Sequence, residues 1–348
     1  MADSVTTDVS IPSIDDLPAP PEERTGWPWT LPAEVERKVE NRPIADTSAW
    51  PSFTIVTPSY NQDQFLEATL RSVLLQRYPN LEYIVLDGGS TDDSVDIIRR
   101  YAPWIDYWQS EPDGGQTHAI NNGFRRAQGE IVQWVNSDDQ LQPGALIAVG
   151  TYFAQHPESD FVVGGTEWIH PSGQTKRVEG PRVETFQELL YYHRQRFLSQ
   201  PGVFFTRRLY EAVGPLDESL TYTMDLDLWL RIGRHVGPTT TVPRVDAGLA
   251  RMTSHPDQKT SGQNQRAMEE AQAVVLRHAS HYGLSLLERF QLWREWVQFR
   301  ALHQIGKFSP NLSTLASLSR QWIRRVPAYL LTPSYWKIVL QCLLGRKW

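Results

Sequence analysis

Ile131-Val132-Gln133-Trp134-Val135-Asn136-Ser137-Asp138-Asp139 carries an apolar, strand-like run straight into a polar turn that ends in two adjacent carboxylates. Ile131 to Val135 reads as a buried strand, and the turn at the carboxyl end of a strand in an open α/β sheet is where such folds place ligands. Neighbouring carboxylates repel each other unless a cation, typically Mg²⁺ or Mn²⁺ with phosphate oxygens, neutralises them. The plainer alternative is that Asp139 caps the helix that Pro143 opens. The pair by itself leaves both readings standing, and the flanking sequence has to decide.

Outward from this turn the chain alternates strands and helices. Phe53-Thr54-Ile55-Val56-Thr57 is an apolar, β-branched run ended by Pro58-Ser59-Tyr60-Asn61. Phe65, Leu66, Thr69, Leu70, Val73 and Leu74 then follow helical spacing. Leu81-Glu82-Tyr83-Ile84-Val85-Leu86 is a second strand, closed by Asp87-Gly88-Gly89-Ser90-Thr91-Asp92, and Val95, Ile97 and Ile98 mark another helix. A short strand is expected around Ile105-Trp108, a loop at Pro112-Gly115, and a helix through Ala119, Ile120, Phe124 and Ala127 that Gly129 stops as a left-handed cap. Repeated units of this kind predict an α/β fold with a mainly parallel, Rossmann-like sheet flanked by helices and polar loops gathered along one edge.

Composition narrows the class. The 348 residues are 40% hydrophobic and 21% charged, ordinary for a soluble protein and enough for one large domain with an added module. The single cysteine, Cys342, excludes an internal disulfide framework and a zinc cluster built on several thiolates. The sequence contains no G-x-x-x-x-G-K-[ST], no G-x-G-x-x-G after the first strand, no G-x-S-x-G and no H-E-x-x-H, which argues against P-loop, dinucleotide, serine-hydrolase and zinc-protease chemistry. The amino-terminal text lacks the basic and apolar regions of a signal peptide, and no run approaches a membrane span, so a cytoplasmic protein is expected.

What remains is a set of polar strand ends in order: Thr57-Pro58-Ser59-Tyr60, then Asp87-Gly88-Gly89, then Asp138-Asp139. Tyr60 suits stacking on a nucleobase or ordinary packing, and Gly88-Gly89 suits close approach of a ligand or a simple turn. Further along, Met224-Asp225-Leu226-Asp227-Leu228-Trp229-Leu230-Arg231 opens a helix. Asp227 and Arg231 are spaced for an i,i+4 ion pair, while Asp225 is either the helix cap or a general base facing the site. His255, in a polar segment with Arg251 and Lys259, is a surface residue or a contact to a metal or diphosphate.

Taken together these residues resemble the family-2 glycosyltransferases, inverting enzymes of the GT-A fold. The resemblance runs through Thr54 to Asn61, Asp87 to Asp92, Glu111-Pro112-Asp113-Gly114-Gly115-Gln116, Asn136 to Asp139 and Met224 to Arg231, covering roughly residues 53 to 260. It implies a hexosyltransferase that moves a sugar from a nucleoside-diphosphate sugar, a UDP-sugar first, to an acceptor hydroxyl on a glycan or lipid-linked glycan. It further implies that Thr57, Pro58, Tyr60, Asp87, Asp113 and Gln116 line the nucleotide site. Asp138 would contact the nucleotide sugar or the metal, Asp139 would bind Mn²⁺ or Mg²⁺ directly with His255 as a further metal contact, and Asp225 would be the catalytic base. Gln200-Pro201 would fall near the acceptor side. Three departures stand out: Gly88 where many members are acidic, Asn136 for the first Asp of D-x-D, and Met224 where a Glu often precedes the base.

The boundaries expected are an extended, partly disordered leader over 1–50, a GT-A domain over 51–262 and a basic, aromatic-rich helical region over 263–348. Gly26-Trp27-Pro28-Trp29 interrupts the leader, and its two tryptophans are expected to dock on a surface. From Gly283 to Trp348 ten lysines and arginines face only Glu288 and Glu295, so this tail carries +8 and the rest of the chain −14. Leu286, Leu287, Phe290, Trp293, Trp296 and Val297 are read as one broad apolar face. Such a tail suits peripheral contact with an anionic membrane surface or packing on the catalytic domain with a solvated basic face. The acidic body argues against nucleic acid. Two rivals remain: a catalytically degenerate sugar-nucleotide-binding scaffold, and a nucleotidyltransferase, against which the first loop counts because Thr57 to Asp63 contains no Lys or Arg.

Overall fold

The computed structural model describes residues 11–31, 33–40, 50–169, 175–180, 182–256, 258–259 and 264–307. The strands are β1 (Phe53–Ser59), β2 (Leu81–Asp87), β3 (Tyr107–Ser110), β4 (Ile131–Trp134), β5 (Asp139–Leu141), β6 (Phe161–Ile169), β7 (Thr175–Glu179), β8 (Val203–Thr206) and β9 (Arg244–Thr253). The helices are α1 (Ala33–Glu40), α2 (Asp63–Leu74), α3 (Ser94–Tyr101), α4 (Gln116–Arg126), α5 (Ala145–Gln155), α6 (Arg207–Val213), α7 (Met224–Val236), α8 (Asn264–Ala279) and α9 (Leu286–Lys307).

One sheet runs in the order β3-β2-β1-β4-β8-β6-β9-β5, with β7 paired to β6. It is parallel from β3 through β4, as the strand-helix alternation predicts, and mixed beyond, where β8 runs antiparallel to both β4 and β6. All seven residues of β1 are buried, as expected of a parallel strand covered on both faces. Side chains alternate between two cores. Phe53, Ile55, Tyr83, Val85 and Ile131 face the layer of α2, α3 and α5, whereas Val56, Ile84, Leu86, Val132 and Trp134 face the layer of α4, α7 and α8. In the second layer Trp134 stacks on Trp229 with ring centroids 5.9 Å apart, pinning α7 beneath the strand that leads into the acidic turn.

Two local expectations are corrected. Gly129 is not a left-handed cap, since α4 already ends at Arg126 with Ala127 as its C-cap. The glycine is needed for space, because a Cβ there would lie 2.5 Å from the backbone of Phe53 and Thr54. Nor does Asp139 cap the helix after Pro143: it opens β5, pairing with Met252, and α5 begins only after Gly144 in a left-handed conformation. The plain reading of the acidic pair is thereby removed.

The leader is not extended throughout, as α1 shows, and its tryptophans are docked. Trp27 Nε1 donates to the Leu141 carbonyl at 2.8 Å, and the fully buried Arg71 donates to the carbonyls of Pro28 and Pro18 with its guanidinium over Trp29. At the other end, α8 and α9 belong to the main core through Ala271, Val274, Val275, Leu292 and Trp296. The broad face read on α9 is split in two. Leu292 and Trp296 are buried, while Leu286, Leu287, Phe290 and Trp293 point to solvent. Residues 308–348, which hold much of the basic tail, lie outside the described residues.

Asp227 is the buried anchor between α7 and α8. It makes the expected pair with Arg231 at 2.8 Å and also accepts from Arg277 at 2.7 Å and His278 at 2.8 Å. Burial pushes its pKa up, but the His278 hydrogen bond and the Arg231 charge outweigh that and hold it at about 2, below the 3.8 of an unfolded carboxyl. A depressed folded pKa contributes stability that is complete above the unfolded value and is lost as pH falls towards 2. Asp227→Asn should cost roughly 3 kcal/mol in urea unfolding at pH 7. The gap from wild type should shrink by about 1 kcal/mol by pH 3. A gap that does not change with pH would contradict the assignment.

Candidate active site

The carboxyl ends of β1, β2 and β4 open on one edge of the sheet. Together with the start of α4 and the segment after β9 they enclose a cavity of about 620 Å³, walled by Pro58, Tyr60, Gly88, Asp113, Gln116, Asn136, Asp138 and Lys259. A smaller cavity of about 190 Å³ shares Gln116, Asn136, Asp138, Gln258 and Lys259 with it, and adds Asp139, Gln200, Pro201, Tyr222 and Asp225. The two form one continuous cleft. Residues far apart in sequence meet there, among them 58–60, 88, 112–116, 134–139, 200–201, 221–225, 252 and 258–259.

The acidic turn is held from below by α2. Thr69 Oγ1 lies 2.9 Å from the Ser137 carbonyl and 2.7 Å from that of Asp139, Ser72 Oγ accepts from the Leu141 N–H, and Gln76 donates to the Gln142 carbonyl. These side chains, three and four residues apart, form a polar edge along α2 and the residues just after it, beside the buried Leu66, Leu70, Val73 and Leu74. Above the turn, Asn136 is the hub. Its amide donates to Asp139 Oδ2 at 3.0 Å and to Gln200 Oε1 at 3.2 Å, and its oxygen accepts from Gln116 at 2.7 Å. Gln116 in turn accepts from the Lys259 ammonium at 2.8 Å. One chain of hydrogen bonds thus crosses the cleft from Lys259 to Asp139.

The two carboxylates differ in their surroundings. Asp139 is 2% exposed, and that burial raises its pKa well above the ordinary carboxylate range. The Asp138 charge pushes the same way, against the Asn136 hydrogen bond. Asp138 is more open, and its Oδ2 lies 3.0 Å from His255 Nε2. His255 is buried and stacked on Phe65 at 4.3 Å, so it is no surface residue. Lys259 supplies the positive charge: loss of hydration lowers its pKa, opposed by Glu270 and Asp138.

Asp225 lines the smaller cavity together with this turn and sits in the first turn of α7. It is half-buried, and removal from water raises its pKa to about 6, offset by backbone N–H groups of Leu226 and its own residue and reinforced by Glu270. Its Oδ1 accepts the Leu226 N–H at 2.7 Å, leaving Oδ2 for other partners. A carboxylate with pKa near 6 is a stronger base than an ordinary aspartate and is still ionised at neutral pH.

The structure sorts the remaining expected site residues. Pro58, Asp113 and Gln116 are on the cavity wall, and Tyr60, 61% exposed, stands at its rim. Thr57 is not on that wall; it is wholly buried, with its hydroxyl 3.0 Å from that of Tyr83. Asp87, 2% exposed, spends its carboxylate on its own loop, accepting from the N–H groups of Gly89 and Ser90 and the hydroxyls of Ser90 and Ser110. Gly89, at φ 80°, makes the turn that aims those N–H groups inward. Asp87 lines a neighbouring cavity of about 300 Å³ that also contains Asp113. Thr69 carries no local signal as a site residue, being a threonine on an apolar helix face, while Asn136 stands out in the sequence only as the replacement of the first Asp of D-x-D and Lys259 only as a neighbour of His255.

The architecture is that of GT-A glycosyltransferases. It superposes on Staphylococcus aureus TarS, solved in complex with UDP-GlcNAc, with TM-score 0.59 over 85% of this chain and 92% of that one at 17% identity. It also superposes on the mannosyltransferase PcManGT of Pyrobaculum calidifontis, in complex with GDP-Man and Mn²⁺, with TM-score 0.51 over 89% and 92% of the two chains at 18% identity. In sequence, the family model for glycosyl transferase family 2 matches residues 54–212. An uncharacterized glycosyltransferase of Mycobacterium tuberculosis strain H37Rv is 31% identical over 197 residues, 56% of this chain and 73% of the relative. One from Rickettsia typhi is 28% identical over 189 residues, 53% of this chain and 59% of the relative. The chain belongs to glycosyltransferase family 2 and is a glycosyltransferase.

Proposed function

We propose that the protein is an inverting glycosyltransferase that moves a sugar from a nucleoside-diphosphate sugar to an acceptor hydroxyl, with Asp225 as general base. The observation that carries this reading is that the Asp138-Asp139 turn and Asp225 line one cavity. The larger cavity takes the nucleotide, with Tyr60 at the rim for the base and Asp113, Gln116 and Asp138 along the wall. Thr57 and Asp87 act from behind, one supporting β1 and the other fixing the 87–90 loop. UDP-GlcNAc in TarS and GDP-Man in PcManGT support a nucleotide-sugar donor, and a UDP-sugar is the first candidate.

The residues present fit a divalent cation. Asp139 is a buried carboxylate whose charge no lysine or arginine among the described residues neutralises, and Asp138 with His255 adds oxygen and imidazole donors suited to Mn²⁺. Among the described residues no three such side chains already surround one point, so a cation held by Asp139 would need further donors from the diphosphate or water. A cation held there by Asp139 and Asp138 would supply positive charge against the charge building on the departing diphosphate. Lys259 adds a second positive charge at the shared wall. Asp225 orients the acceptor hydroxyl and takes its proton as the oxygen attacks the anomeric carbon; the bond to the diphosphate breaks on the opposite side, and the configuration inverts. No covalent intermediate on the protein is required.

The acceptor, a glycan or lipid-linked glycan, enters past Gln200-Pro201 and Tyr222. A lipid-linked acceptor calls for a membrane surface; Leu286, Leu287, Phe290 and Trp293 face solvent, and the sequence from Gly283 onward carries a net +8, a combination suited to an anionic one. No helix among the described residues is long and apolar enough to cross a membrane. In co-sedimentation, binding should rise with the phosphatidylglycerol content of vesicles and fall at high salt; indifference to anionic lipid would rule this contact out.

A panel of UDP-glucose, UDP-galactose, UDP-N-acetylglucosamine and GDP-mannose, scored by Mn²⁺-dependent hydrolysis without acceptor, selects the donor. On that donor, Asp225→Asn should lose on the order of 10²-fold or more in turnover while still binding UDP. Wild-type kcat/KM should be flat above pH 6 and fall about tenfold per unit below it, because the base must be ionised. Full turnover in Asp225→Asn would refute the base. Asp139→Ala should abolish the Mn²⁺ dependence of UDP binding in calorimetric titration, and an unchanged titration would refute the metal assignment.

A further inference from the structure

Helix α7 starts without a cap of its own. Thr223 holds the N-cap position, yet its side chain makes no hydrogen bond to the first turn. Its hydroxyl donates instead to Glu270 Oε1 at 2.8 Å, out of α8. The backbone N–H groups of Thr221, Tyr222 and Thr223 donate to the same carboxylate at 3.0, 2.7 and 2.8 Å. One side chain from a distant helix therefore satisfies four donors at the positive end of α7, where a carboxylate is favoured by the helix dipole. The residues it grips are the wall of the reaction cleft: Thr221, Tyr222, Met224 and Asp225 all line the smaller cavity.

We infer that Glu270 is a positioning residue of this active site, holding the 221–223 backbone so that Asp225 stands at its working distance from the Asp138-Asp139 turn. The inference rests on Asp225 being the base. Glu270 also acts through space, since its charge reaches both Asp225 and Lys259 on two walls of the cleft. The packing of α8 on α7 does not hang on it. Asp227, Arg277 and His278 join the two helices one turn further on, and Val274, Val275 and Ala271 bury the seam. Glu270 is thus free to serve the geometry of the strand-to-helix junction. Glu270 and the 221–225 junction it grips both lie beyond residues 54–212 matched by the family model, so this support is built from the chain that follows that segment.

The test compares wild type, Glu270→Ala, Glu270→Gln and Thr223→Val, with Asp225→Asn as control, by steady-state hydrolysis of the panel-selected donor, UDP calorimetry and urea unfolding. Displacing a general base by about an ångström costs up to 10²-fold, so Glu270→Ala should lower kcat by roughly 10- to 100-fold. Donor KM and UDP affinity should stay within about twofold of wild type. Glu270→Gln, whose amide oxygen still accepts from the backbone N–H groups, should recover most of kcat, and Thr223→Val should fall between. A wild-type kcat in Glu270→Ala with an inactive Asp225→Asn overturns this inference alone. Loss of kcat, UDP affinity and stability together also overturns it, because that pattern marks a fold anchor. An active Asp225→Asn, or no donor turned over by wild type, overturns the reading of the base and with it the inference.

Discussion

The structure is organised around the burial of a carboxylate. Asp139 sits almost out of water, next to a second carboxylate, and its nearest polar partner is the neutral amide of Asn136. An ionised group in that position is unfavourable until a cation arrives, and its raised pKa expresses that tension. The backbone beneath it is correspondingly over-determined. Thr69 and Ser72 on α2 and Gln76 just beyond it secure carbonyls and an N–H group between Ser137 and Gln142, and Trp27 of the leader donates to the Leu141 carbonyl. The backbone of the turn cannot move towards solvent without breaking those bonds.

The same logic divides labour among the charged groups. Asp227, three residues from the end of the 221–224 wall, is fully compensated by Arg231, Arg277 and His278 and holds helices together. Asp225, two residues earlier on a different face of α7, has no such cations among the described residues and keeps a raised pKa, with only its Oδ1 taken up by the Leu226 N–H. Two aspartates two residues apart thus become an anchor and a base because a helix turns them to opposite surroundings. Glu270 connects the two tasks, as it comes from the helix that Asp227 anchors and grips the junction that carries Asp225.

Much of this was legible in the sequence, and what was not has a physical reason. β1, β2 and β4 and their polar ends follow from short apolar runs stopped by turn residues, and the i,i+4 spacing of Asp227 and Arg231 announced their pair. Two tryptophans in a polar leader signalled docking, which Arg71 and Leu141 provide. The helix-cap reading of Asp139 failed because Asp139 pairs with Met252 over one hundred residues away, which no local pattern encodes. Thr69 counted as core because it occupies an apolar helix position, although its partners are 68 and 70 residues downstream. Glu270 was silent for the same reason, acting 47 to 49 residues from its own position. The apolar face of α9 was read too broadly because periodicity cannot tell which of two apolar edges meets the core.

The central claim is that the acidic turn and Asp225 face each other across one reacting centre. A crystal structure of the protein with Mn²⁺ and UDP, with data recorded for the anomalous signal of manganese, tests it most directly. The account predicts a manganese peak on the Asp139 carboxylate, the diphosphate beside Asp138 and Lys259, and the free oxygen of Asp225 opening on the side of the cleft away from the diphosphate. Manganese bound away from Asp139, or UDP seated so that Asp225 lies behind the diphosphate, would contradict it.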